Sequence, residues 1–228
     1  YNTAVGKDAL LSNTTASNNT AVGYQALTAN TTGFANTMFG YQAGDALTTG
    51  NNNIAIGSNT LGADTLGDRS VAIGNEALAS QNFTSSTDNY NVAVGYQAGA
   101  AVTTGIQNTL IGGQAGDSLT DADFNVAIGT TALASDTLGS RSIAIGRRTL
   151  MAQNFTSATD TYNVAIGFEA GNDVTTGTNN TLVGGLAGDA ITTGSANTSV
   201  GTGSLGSNTT ASSNTAVGFN AGSSNTTG

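Results

Sequence analysis

Apolar and polar positions along this chain do not follow a helical stripe. They follow a fixed spacing built on a tripeptide, small-or-apolar then β-branched then Gly. The glycines fall at Gly6, Gly23, Gly40, Gly57, Gly74, Gly95, Gly112, Gly129, Gly146, Gly167, Gly184, Gly201 and Gly218. Ten of the gaps have a spacing of seventeen, and the other two, Gly74 to Gly95 and Gly146 to Gly167, are longer by four. That insertion recurs with the same sequence, as Gln81-Asn82-Phe83-Thr84-Ser85 and Gln153-Asn154-Phe155-Thr156-Ser157. A second-order period relates 57–128 to 129–200. Within a unit, Asn19 to Val22 reads as a short strand ending at Gly23, and Asn30 to Gly33 reads as a turn. Every unit runs the same way, which disfavours hairpins. The pattern predicts an all-β, parallel β-solenoid of thirteen coils, two of them enlarged by the insertion, as a single array over 1–228.

Stacked coils turn alignment columns into ladders at roughly the 4.8 Å strand spacing. With the Gly as position zero, the residue before it is Val, Ile or Phe in all coils, and three before it stands Thr, Val or Ile. These two share one strand face, which is expected to form the core of the coil. Between them, position −2 is Ala in nine coils, and Met38, Leu110, Leu182 or Ser199 in the others. That column is expected to point the other way, into a second dry contact with another layer or another chain, which is read as lateral association. Position −4 is Asn in eleven coils, expected to form an amide ladder and to accept a left-handed turn. At +8 the eleven ordinary coils carry Thr, expected to bond locally. Gly at +10, as in Gly33 and Gly50, is expected to provide a positive-φ corner.

Positions +4 and +7 compensate each other. Leu27 goes with Asn30 and Leu61 with Asp64, whereas Gly44 goes with Leu47, Gly99 with Val102 and Gly188 with Ile191. Except in the last ordinary coil, with Gly222 and Asn225, one interior slot per coil is filled from either side, and leaving it empty costs about 2–5 kcal/mol. A disordered chain has no need of such a rule.

The units Asn-Thr-Ala-Val-Gly-Tyr-Gln-Ala-Leu (19–27) and Ser-Val-Ala-Ile-Gly-Asn-Glu-Ala-Leu (70–78) resemble the head repeats of YadA-like trimeric autotransporter adhesins and of trimeric bacteriophage tail fibres. The resemblance implies a left-handed β-roll, three chains side by side, and a role in attachment or as a fibre shaft. It spans the whole chain, although the adhesin repeat is typically shorter than the one here. Both ends fall within a repeat and lack a polar cap, so a segment of a longer fibre, or end-to-end joining into a filament, is expected.

Composition narrows the chemistry. The chain has 228 residues with no Cys, His or Pro, so thiol and imidazole catalysis and His/Cys metal sites are excluded. Five basic residues against fourteen acidic ones give a net charge of −9, which disfavours nucleic acid. No apolar run is long enough to insert in a membrane. No catalytic residue, metal ligand or cofactor site is expected, and Asp117, Asp121 and Asp123 lack a calcium-loop pattern.

The long turns at 79–90 and 151–162 are the candidate recognition loops, through Phe83, Asp88, Tyr90, Phe155, Asp160 and Tyr162. Arg69 and Arg141 are expected to form salt bridges between chains. Tyr24, Tyr41, Tyr96, Phe168 and Phe219 follow the Gly directly, and either shield the edge of the roll or line a carbohydrate-binding surface. The expected function is a non-enzymatic structural or adhesive fibre segment, homotrimeric, extracellular on a cell surface or virion, with a glycan or protein receptor. Ice binding through Thr ladders and a glycan-cleaving tail spike are the alternatives; the spike would need a paired-carboxylate groove that the sequence does not show.

Overall fold

In a computed structural model, which describes residues 1–227, the chain is all-β. Thirteen three-residue strands, from Thr3–Val5 to Thr215–Val217, form one parallel sheet in chain order. Each strand pairs with its equivalent one repeat away, so Thr20 lies beside Thr37, and Ala21 beside Met38. The solenoid, one repeat to each coil, is therefore the fold.

Coil-to-coil hydrogen bonding continues well beyond the strands. The Gln25 N–H donates to the Lys7 carbonyl at 2.9 Å, Leu10 to Ala26 at 3.1 Å, and Ser12 to Thr28 at 3.0 Å. A Pro at any of these positions would remove a rung, which accounts for its absence. The invariant Gly has φ between 128 and 144°. A side chain there is excluded twice over, because a Cβ at Gly40 would also lie 2.2 Å from the Gly57 carbonyl oxygen.

The interior is narrow and is lined by the column expected to face outward. Ala21, Ala55, Ala72, Ala93, Ala127, Ala144 and Ala165 are fully buried, as are Met38, Leu110 and Leu182. The flanking residues at −3 and −1 instead face solvent: Phe39 is 54% exposed, and Ile54, Ile56, Ile111 and Ile166 are 37–38% exposed. The two strand faces are thus the reverse of the expectation. Leu27, from the far side of the coil, needs the room that Ala21 leaves. Where the strand supplies a large side chain, the far side supplies Gly: a Cβ on Gly44 would sit 2.8 Å from the Met38 sulfur.

The +4/+7 slot is as expected. Leu27, Leu61, Leu78, Leu133 and Leu150 are buried from +4, and Leu47, Val102, Leu119, Val174 and Ile191 from +7.

Three further expectations are corrected. The left-handed residue is at −5, as in Asn18 and Asn52, not at the −4 Asn. That Asn is buried and works mainly on backbone: Asn36 N–H donates to Asn19 Oδ1 at 2.9 Å, and Asn19 Nδ2 to the Gly33 carbonyl at 2.8 Å. Amide-to-amide bonds are secondary, as from Asn108 to Asn91 at 3.3 Å. Gly33 and Gly50 do not have positive φ; each is required by close approach, a Cβ on Gly33 falling 2.3 Å from the Gly50 oxygen. The Thr hydroxyls at +8 bond to the next coil, Thr48 Oγ1 donating to the Thr65 carbonyl at 3.0 Å.

Candidate functional site

The two insertions each add a short second ladder. Gly67–Asp68 pairs with Thr87–Asp88, and Gly139–Ser140 with Thr159–Asp160. Beneath each lies a buried carboxylate at +7. Asp64 Oδ1 accepts from the Gly67 N–H (3.0 Å) and the Phe83 N–H (3.3 Å), and its Oδ2 accepts from Gln81 Nε2 (2.7 Å). Asp136 repeats this with Gly139 (3.1 Å), Phe155 (3.0 Å) and Gln153 (2.6 Å). The insertion is therefore tied into the interior by its own backbone. Burial raises the Asp64 carboxyl above its ordinary value despite those donors.

This anchoring decides the fate of the six expected recognition residues. Phe83 and Phe155 are 5% and 7% exposed, so they cap the core and do not project as recognition groups. Gly67 leaves the space that the Phe83 ring fills, since a Cβ there would meet the ring at 2.9 Å. Asp88, Tyr90, Asp160 and Tyr162 do lie at the surface. They come together with the arginines of the same chain. Arg69 Nε donates to Asp88 Oδ1 at 2.7 Å, with its guanidinium 5.6 Å from the Tyr90 ring centre. Arg141 pairs with Asp160 at 3.2 Å and lies 4.8 Å from the Phe124 ring centre. The expected salt bridges between chains are thus within one chain. Both pairs are exposed to solvent, where screening keeps such ion pairs weak. Among the described residues no three acidic side chains gather in a way that could hold a metal ion, and the surface has no enclosed cavity.

The largest continuous feature is the outward sheet face. From Ile54/Ile56 through Val71/Ile73, Val92/Val94, Val126/Ile128 and Ile143/Ile145 to Val164/Ile166, both columns are Val or Ile, with Thr109/Ile111 the one mixed pair. These side chains are half-buried or exposed, on a sheet whose parallel strands pair in register. One edge of the stripe carries the −5 column, with Arg69, Tyr90, Phe124, Arg141 and Tyr162 in left-handed conformation. Beyond the Gly at the other edge stand Tyr24, Tyr41, Tyr96, Phe168 and Phe219, all exposed.

The signal for the outward face was present in the sequence as a covariation. Each large residue at −2 coincides with Gly at +4 of its own coil, in Met38/Gly44, Leu110/Gly116 and Leu182/Gly188. Residues that trade volume share a space, so the −2 column had to point inward. No helix among the described residues is long and apolar enough to cross a membrane. Compared with protein-family models, with curated proteins and with solved structures, the chain gives no match.

Proposed function

We propose that this chain is a non-enzymatic structural or adhesive fibre segment that assembles side by side, as a homotrimer, through its outward Val/Ile face. One observation carries the reading: thirteen coils present a rod about 60 Å long whose outward sheet side is apolar along its middle and only partly covered among the described residues. Burying two files of β-branched side chains against equivalent files removes that surface from water. Three-fold closure is what the resemblance to trimeric adhesin and tail-fibre repeats adds to this. Display on a cell surface or virion, with a glycan or protein receptor, follows from the same resemblance. Adjacent coils and the in-register ladder support a rigid spacer more than a catalyst, and the surface carboxylates at Asp88 and Asp160 are already held by arginines.

Ice binding receives less support. The outward face sets Thr beside Val, Phe or Ile in seven coils, as in Thr20/Val22, and never pairs two Thr files.

Sedimentation equilibrium tests the assembly. A particle near three times the 22.4 kDa chain mass is expected. A stable soluble monomer at micromolar concentration would overturn it.

A further inference from the structure

The residue after each invariant Gly forms a ladder of its own, fixed by backbone bonds one coil apart. The Gln42 N–H donates to the Tyr24 carbonyl at 2.9 Å, Gln114 to Tyr96 at 2.8 Å, and Thr131 to Gly113 at 3.0 Å. The order along this column is Tyr24-Tyr41-Ser58, then, after Asn75, Tyr96-Gly113-Thr130, then, after Arg147, Phe168-Gly185-Thr202. These three triplets are related by the second-order period.

In the first triplet the Tyr41 ring stacks on Tyr24, with centres 5.4 Å apart and planes 11° from parallel. In the other two the same place holds Gly. A Cβ at Gly113 or Gly185 would meet nothing within 4 Å, so the place that Tyr41 takes in the first triplet is open in these two. Tyr96 is 56% and Phe168 49% exposed, and Thr130 and Thr202 stand on the far side of the gap. Two coil spacings separate ring from Thr, about 9.6 Å, which leaves one layer of ring thickness between them. Tyr41 shows, within the same molecule, that a six-membered ring fits this register.

We propose that the Tyr96–Gly113–Thr130 step, and its counterpart Phe168–Gly185–Thr202, are stacking sites for a pyranose ring of a glycan. The two flanking residues differ, an aromatic ring one coil before the gap and a Thr one coil after it. A pyranose has the matching asymmetry, since its axial C–H groups make one face apolar while its hydroxyls remain hydrogen-bonding. Beside the Tyr96 step run the Gln97 and Gln114 amides, bonded to each other at 3.4 Å, whose remaining donor and acceptor sites suit ring hydroxyls. The Phe168 step has Leu186 in the place of Gln114 and Glu169 in the place of Gln97, and Arg147 covers the opposite ring face at 5.4 Å, so the two steps differ in their polar surroundings. The first triplet is a filled, silent copy. Two sites four coils apart, about 19 Å, give a multivalent ligand an avidity that a single shallow step lacks.

This deepens the attachment reading and rests on it for its biological purpose, while the stacking itself requires no assembly. Saturation-transfer difference NMR on the full chain tests it, with methyl β-D-glucopyranoside, methyl β-D-galactopyranoside, methyl α-D-mannopyranoside and methyl N-acetyl-β-D-glucosaminide as probes. Transfer is expected to the C–H protons of one ring face for at least one of them. It should fall about two- to tenfold in Tyr96→Ser/Phe168→Ser, the range for a lost ring contact. Gly113→Tyr/Gly185→Tyr, which copies the first triplet, should keep the fold and block binding. The absence of transfer for all four pyranosides would overturn the proposal, as would undiminished transfer in the Gly→Tyr variant. Saturable transfer to p-cresol alone would replace the glycan with an aromatic side chain. Sedimentation of the same samples separates the two readings: a monomer that still shows transfer removes the fibre and keeps this site, and a silent trimer does the reverse.

Discussion

Gln81 reaches across one coil to Asp64, donating from Nε2 to Oδ2 at 2.7 Å in the interior of the solenoid. The same nitrogen also donates to Ser70 Oγ at 2.8 Å, and Gln81 Oε1 accepts from Asn91. The Ser70 hydroxyl donates in turn to Asn89 Oδ1 at 2.8 Å. The chain of donors ends badly, because Asn89 Nδ2 is buried without a partner. In the second insertion the equivalent residue is Thr161, whose hydroxyl meets Ser142 and bonds to the Ser140 carbonyl at 3.1 Å. Asn89→Thr copies that solution. It is expected to stabilise the fold by about 1 kcal/mol, the low end of the cost of an orphaned buried donor. A lower denaturation midpoint for the variant in urea would count against this account.

Acidification is expected to stabilise the chain over a limited range. Burial raises the carboxyls of Asp45, Asp64, Asp117, Asp123 and Asp189 above their ordinary value of 3.8. On unfolding they return towards that value, so between the two the folded chain holds more protons. Stability is then fully present below about 3.8 and is lost as pH rises through the folded values. Relief of the −9 net charge acts in the same direction. The melting temperature by circular dichroism should rise from about pH 7 to about pH 4.5, and the rise should shrink in Asp45→Asn/Asp117→Asn/Asp189→Asn. A melting temperature that falls across this interval would contradict the assignment.

The interior slot makes a coupling prediction. Leu27 fills its slot from +4 with φ 54°, and the buried Asn30 at +7 donates to the Gly33 carbonyl at 3.0 Å. Leu27→Gly alone should cost about 2–4 kcal/mol, since the cavity outweighs the relief of a left-handed Leu. Asn30→Leu alone overpacks the slot and should cost about 1–3 kcal/mol. Together they approach the Gly44/Leu47 arrangement of the next coil, with Ala21 in the place of its Met38, and should recover part of the loss. The interaction term in a double-mutant cycle, expected at about 1–3 kcal/mol, is the quantity to measure. Simple additivity would remove the shared-slot interpretation.

The repeat, the parallel stacking and the +4/+7 slot were legible because each leaves a periodic trace in residue type. Facing was harder. Val22 and Thr20 look like core beside Ala21, because large apolar residues usually point inward. In a coil of so short a circumference, the width of the interior is the constraint. Leu27 from the opposite wall occupies it, and the strand must answer with Ala. Only Met38/Gly44 and its two equivalents reveal this in sequence. The insertions were legible as insertions, but not that Phe83 would turn inward. Its burial depends on Gly67, in the preceding coil, and on the Asp64 carboxylate that accepts its N–H. Local composition around 79–90 carries neither fact.

The reversed facing gives the sharpest contrast between adjacent positions. Ala144 is fully buried, and its neighbour Ile145 points outward from the same three-residue strand. Ala144→Lys places a long cation where Leu150 and Ala165 pack, and should cost at least about 4 kcal/mol. Ile145→Lys leaves that core untouched. It should keep the circular dichroism spectrum of a folded solenoid while lowering the sedimenting mass, because equivalent lysines would meet across the assembly. Were the apolar −1 and −3 columns the true interior, the two variants would exchange behaviour, with Ile145→Lys unfolded and Ala144→Lys merely dissociated. The pair therefore tests the facing of the sheet and the role of its outer side together. A folded Ile145→Lys that still assembles would preserve the fold and leave the outward Val/Ile face without a partner.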